Sequence, residues 1–150
     1  MATGAVDIYR GYIGALNDKD LRAAERFVDP GRYRENCVSF TRGFVGWAEA
    51  IESLGQVWKA IPDLRADLDH VAADGDGVIA HGTVGGTATG RLYGAPATKR
   101  SYRVNFFDYV RIADDRIVER VQQADVLSQM RQLYGKVIGL VGLDAMFLRQ

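Results

Sequence analysis

Residues 100–124 carry the pattern that most narrows what this chain can fold into. Tyr102, Val104, Phe106, Asp108, Val110 and Ile112 fall at every second position. A two-residue period sends alternate side chains to opposite faces of a strand. Asp114-Asp115 turns the chain back, and 116–124 pairs with the strand it has just left. Upstream, Asp74-Gly75-Asp76-Gly77 reads as a hairpin turn between an alternating strand at 64–72 and a glycine-broken strand at 78–92. Gly82, Gly85, Gly86 and Gly90 interrupt that last strand, and glycine within a strand marks a bend, a bulge or a close approach. Its side chains are small and polar, whereas those of the next two strands are apolar with a few ionisable or amide groups. A sheet whose one face lines a cavity has this composition. Asp108, Arg120 and Gln122 are the polar groups expected in that cavity.

Helices flank the meander. Residues 6–16 carry Ile8, Tyr9, Tyr12, Ile13 and Leu16 at helical spacing. Asp20 suits the N-cap of a short helix over 21–28, ended by Pro30-Gly31. A weak strand is expected over 32–40, with Tyr33, Asn36 and Val38 its notable members. Residues 44–61 form the clearest helix, with Trp47, Ile51, Leu54, Trp58 and Ile61 on one stripe that is expected to pack on the sheet. Pro62-Asp63 stops it, and Asp125 caps a last helix over 126–134. Helices first and strands afterwards argue for an α+β fold, with helices against one face of a mostly antiparallel sheet. Such a sheet, strongly bent and wrapped by helices, leaves an open mouth where a ligand can enter.

Length and charge exclude several classes. The 150 residues suit one domain, 1–150, with an apolar, glycine-rich tail at 136–150. Lys+Arg and Asp+Glu both number 19, so the basic surface that nucleic acid demands is not expected. No apolar run approaches the roughly 20 residues a membrane span requires, and the first 20 lack the basic and apolar regions of a secretion signal. The single Cys37 cannot make an internal disulfide and is expected to be a buried, inert thiol, as in a cytoplasmic protein. Two separate histidines make no metal site. The glycine cluster lacks the Gly-Lys-Ser/Thr ending of a phosphate loop.

The run GTVGGTATGRLYGAP, followed by FFDYVRIADDRIVERVQQADVLSQMRQL, resembles the SnoaL-like polyketide cyclases of the NTF2-like superfamily. Ile61-Pro62-Asp63 matches the Phe-Pro-Asp that usually closes the family's long helix, and the similarity spans about residues 5–135. The resemblance implies an NTF2-like cone and a homodimer pairing through the sheet. It implies a small cofactor-independent enzyme of bacterial secondary metabolism acting on a polyketide-type intermediate. Aligned on the hairpin, the family's acid/base aspartate falls on Gln122 and its assisting histidine on Asp108. Gln122 cannot exchange a proton, so Asp108 is the expected proton carrier, with Arg120 and Gln122 orienting or stabilising a carbonyl oxygen. A carboxylate paired across the hairpin with Arg120 or Arg103 is the structural alternative for Asp108. Asn36 matches a position that often faces the pocket.

His81 is a candidate base or hydrogen-bond donor, with a structural histidine the alternative. His70 is expected to face solvent. Tyr12, Tyr33, Trp58 and Phe106 complete the expected ligand-contacting set, although each alone would also suit a core. Other functions fit the same features: concerted cyclisation of a polyene by shape alone, a dehydratase, an epoxide hydrolase, or a ligand-binding protein without chemistry.

Overall fold

The computed structural model describes residues 4–37, 43–92 and 94–135. The expected tail at 136–150 and Val38 lie outside them.

Among the described residues, four helices and six strands follow the order α1 (Ala5–Asn17), α2 (Leu21–Glu25), β1 (Arg34–Cys37), β2 (Val45–Gly46), α3 (Trp47–Ala60), β3 (Arg65–Asp74), β4 (Gly77–Thr87), β5 (Ser101–Ala113), β6 (Arg116–Ala124) and α4 (Val126–Tyr134). The strands form one curved sheet in the order β2-β1-β6-β5-β4-β3. All neighbours are antiparallel except β1 and β6, which run parallel. This is the α+β arrangement that the segregation of helical and strand patterns implies.

Local chemistry sets the boundaries. The Asp20 side chain accepts from the Ala23 N–H at 2.9 Å, and Asp125 accepts from Ser128 N–H at 2.9 Å, so each satisfies a backbone donor that the helix start leaves open. Glu49 reaches back to Gly46 N–H and fixes the start of α3. That leaves Val45 and Gly46 free to pair with β1 as a two-residue strand, a feature too short to show as a period. Asp114 and Asp115 both adopt positive φ, 52° and 56°, as a two-residue hairpin turn requires.

The glycines of β4 mark close approaches. A Cβ at Gly86 would lie 2.4 Å from Ile61 Cγ2, so α3 ends directly on the strand. A Cβ at Gly82 would lie 2.2 Å from the Asp67 carbonyl oxygen, beside the register shift between Leu68 and His70. β4 ends at Thr87, short of the expected 92, because Ala88 and Gly90 turn to bond Arg100 and Ala60.

Two apolar clusters hold the body together. One joins Ile8, Tyr9, Ile13 and Val28 to Val78, Val110 and Ile117. The other joins Val57 and Ile61 to Leu92, Tyr102, Val104 and Leu133. The α3 stripe does not pack flat on the sheet. Ile51, Leu54 and Trp58 are only half-buried, because they border a space between the two clusters.

Candidate active site

That space is a cavity enclosing about 950 Å³ of unfilled volume, the part open to solvent included. α3 roofs it with Trp47, Ala50, Ile51, Leu54, Val57 and Trp58. α1 contributes Tyr12, Ile13 and Leu16, and β3 and β4 contribute Ala66 and Val84. Opposite this apolar roof, β1 and β6 supply a polar block. Glu35 pairs in register with Arg120, and Cys37 with Gln122. All four line the cavity. Asn17 lies in the lining too, but both ends of its amide are bonded to the Ala66 backbone.

Behind the polar block lies a buried ionic network. Tyr9 donates its hydroxyl to Asp108 Oδ2 at 2.7 Å. Arg120 donates to the same oxygen through Nε at 3.2 Å and Nη2 at 3.0 Å. Asp108 Oδ1 is buried without a hydrogen-bond partner. On the other side, Arg120 Nη1 lies 3.9 Å from Glu35 Oε2. Tyr33 donates to that oxygen at 2.7 Å, and the Tyr12 and Tyr33 hydroxyls stand 3.5 Å apart. The Arg120 guanidinium also sits 5.7 Å from the centre of the Tyr12 ring, within cation–π range. Burial alone would push Arg120 down. The Asp108 carboxylate, followed by Tyr12, Tyr33 and Glu35, outweighs it and holds the guanidinium well above its ordinary value. Burial pushes the hydroxyls of Tyr9, Tyr12 and Tyr33 up, and Asp108 adds to the effect on Tyr9. These phenols therefore keep their protons near neutrality and act as donors.

Gln122 is oriented by sulfur. Cys37 Sγ donates to Gln122 Oε1 at 3.0 Å. With the oxygen engaged, the Gln122 NH₂ makes no hydrogen bond among the described residues. Gln129 of α4 is 6% exposed and lines the same cavity, and its amide is likewise without a partner among the described residues. Amides that line a cavity with donors unused by the described residues suit an oxygen-bearing ligand.

The expected site residues divide into three groups. Tyr12, Trp58, Arg120 and Gln122 line the cavity together. Asp108, Tyr33 and Phe106 are buried behind the wall: the Asp108 side chain is 0% exposed, and Phe106 packs between Gly82 and Ala124 on its neighbouring strands. Asn36 and His81 lie on the opposite face of the sheet. Asn36 is out of phase with Glu35 and Cys37. His81 pairs with Phe107, stacks near His70 at 6.1 Å between ring centres, and lies 3.7 Å from Asp69. Glu35, Gln129 and Tyr9 were not among the expected site residues, and Cys37, expected as a buried and inert thiol, is buried and lines the cavity. Glu35 and Cys37 share one face of β1, but four residues of mixed chemistry do not reveal in the sequence which row faces inward.

Solved structures place this architecture among the NTF2-like folds. IdmH from Streptomyces antibioticus, a suggested polyketide cyclase, superposes with a TM-score of 0.78 at 20% identity, over 87% of this chain and 99% of its own. A suggested SnoaL-like polyketide cyclase from Jannaschia sp. CCS1 gives 0.78 at 18% identity, over 88% and 92%. TsrD from Streptomyces laurentii gives 0.74 at 25% identity, over 86% and 93%. No curated protein matches the chain. The SnoaL-like polyketide cyclase family model matches residues 6–133, and the chain belongs to that family.

Proposed function

We propose that this protein is a cofactor-independent cyclase or isomerase acting on a polyketide-type intermediate in bacterial secondary metabolism. The observation that carries the reading is the division of the cavity. An apolar roof from α3 faces a polar block in which Arg120 and the Gln122 amide offer N–H donors. A hydrocarbon portion of the ligand lies under Trp47, Leu54 and Trp58. Its carbonyl oxygen lies against Arg120 and Gln122, where donors fixed before reaction stabilise negative charge as an enolate develops. Asp108 keeps Arg120 charged and aimed, which preserves the expected link between these residues while removing Asp108 from contact with the ligand. No step needs a redox partner.

The apolar roof also favours a second reading, in which the cavity folds a polyene and orientation supplies the rate. Mass-resolved turnover of the intermediates accumulated by a strain lacking the gene separates these readings from others. A product of unchanged mass that disappears with Arg120→Met supports enolate chemistry, and one that survives Arg120→Met supports catalysis by shape. Gain or loss of water refutes both in favour of a hydrolase or dehydratase, and unaltered ligand refutes an enzyme.

A homodimer through the outer sheet face belongs to the same proposal. Ile79, Phe107 and Tyr109 are exposed there on adjoining positions of β4 and β5. Light scattering is expected to give twice the chain mass, and a monomer at micromolar concentration refutes the pairing.

A further inference from the structure

We infer that Glu35 is the residue that carries the proton in this cavity and that Asp108 is a positioning residue behind Arg120. The inference rests on the cyclase reading and assigns its acid/base step.

Among the described residues, Glu35 is the one carboxylate in the cavity lining, which there contains no histidine or lysine. Its two oxygens are in different situations. Oε2 accepts from the Tyr33 hydroxyl at 2.7 Å and faces Arg120 at 3.9 Å. Oε1 makes no hydrogen bond among the described residues. One oxygen is thus anchored, and the other keeps its lone pairs for a ligand. The remaining lining groups are poor proton carriers. Gln122 and Gln129 do not titrate, Arg120 does not release its proton, and Tyr12 holds its own. Cys37 directs its S–H to Gln122. Asp108 is fully buried against Arg120 and the Tyr9 hydroxyl and does not line the cavity.

The register places Glu35 beside the donors it must work with. Glu35 is the β1 partner of Arg120, and Gln122 follows Arg120 by two residues on the same face of β6. Glu35 Oε1 removes a proton from the carbon beside a ligand carbonyl. The C–H electron pair becomes a C=C bond, and the carbonyl π pair moves onto oxygen, opposite Arg120 and Gln122. The enolate carbon then attacks a further carbonyl along the same chain: a C–C bond forms, that carbonyl's π pair moves onto its oxygen, and the first C=O is restored. The new alkoxide takes the proton back from the Glu35 carboxyl. The atoms of the ligand are conserved, and no oxidant is consumed.

A carboxylate is a weak base, so this step suits a carbon flanked by two carbonyls. The substrate class is therefore a β-dicarbonyl with a further carbonyl along an otherwise apolar chain.

The test uses 1-phenylbutane-1,3-dione as probe. Exchange of its C2 proton in D₂O is followed by NMR, and its Kd by difference absorbance. Wild-type protein is expected to accelerate exchange. Glu35→Gln, which keeps the Tyr33 hydrogen bond, is expected to lose about 10²-fold or more of that rate while Kd stays within about threefold. Glu35→Asp keeps the carboxylate and is expected to retain part of the rate, so an unstable Gln variant does not remove the test. Asp108→Asn is expected to weaken binding and slow exchange together. Exchange at the wild-type rate in Glu35→Gln overturns the inference, as does loss of exchange at unchanged Kd in Asp108→Asn alone. A wild-type protein that binds the dione without accelerating exchange overturns the enolate reading itself.

Discussion

Replacing Asp108 by Asn removes one charge from a largely buried pair. The Asp108 side chain is 0% exposed and that of Arg120 is 11% exposed. Breaking a buried pair by deleting one partner costs about 3–5 kcal/mol, because the other charge stays buried without compensation. Two features pull the value to the lower end. Asn retains an acceptor for Tyr9 or Arg120, and Glu35 remains 3.9 Å from the guanidinium as a second counter-charge. The expected loss is therefore about 3 kcal/mol, a large share of the roughly 5–15 kcal/mol that holds a domain of this size folded. At about 2–4 °C per kcal/mol, the melting temperature falls by roughly 6–12 °C. Urea titration followed by far-ultraviolet circular dichroism measures the loss. Arg34→Ala is the control, since its ion pair with Glu119 is largely exposed on the arginine side and is worth at most about 1 kcal/mol. A loss for Asp108→Asn no larger than the control refutes the claim that Asp108 holds Arg120 in place.

Leu54→Trp fills the cavity from its roof; a folded protein that no longer binds the dione is expected, and retained binding contradicts the assignment of the cavity. Gly86→Val drives a side chain into Ile61 and Asp63 and is expected to cost about 1–3 kcal/mol in urea titration; an unchanged midpoint would show that α3 does not rest on β4. Burial raises Tyr9, Tyr12 and Tyr33 above the ordinary phenol range, and Tyr102 is pushed up to about 12, mainly by burial and then by Asp63. The folded state thus holds these protons longer than the unfolded chain, whose tyrosines titrate at about 10. Their contribution to stability is complete below pH ~10 and is lost as pH rises through the folded values. Phenolate absorbance is expected to appear in two phases, the second coincident with unfolding; a single phase near pH 10 in a folded protein would contradict it.

The sheet centre was legible because β5 alternates without a break. Tyr102, Val104, Phe106, Asp108, Val110 and Ile112 all face inward, as the two-residue period implies. Pairing then fixes β6, so the inward face of Gln122 follows from its place opposite Asp108. β1 offers only four residues and mixed chemistry, so its phase was not visible. A glutamate there resembles a surface residue until the parallel pairing with Arg120 is known. β4 misled for a different reason. Ile79 and His81 on one face and Val78 and Ala80 on the other are both acceptable inner rows, and only the pairing of Ala80 with Asp108 decides between them. The α3 stripe is amphipathic whether it covers side chains or a cavity, so its period could not separate the two. The sealing of Asp108 depends on Tyr9, which lies 99 positions away in sequence and carries no local mark of the contact.

A crystal structure with 1-phenylbutane-1,3-dione bound tests the central claim most directly. The account predicts a dione oxygen about 2.7–3.1 Å from a guanidinium nitrogen of Arg120 or the Gln122 amide nitrogen, with the phenyl group under Trp58 and Leu54. A dione bound outside the cavity, or seated with its phenyl ring against Arg120 and its oxygens toward α3, would contradict it.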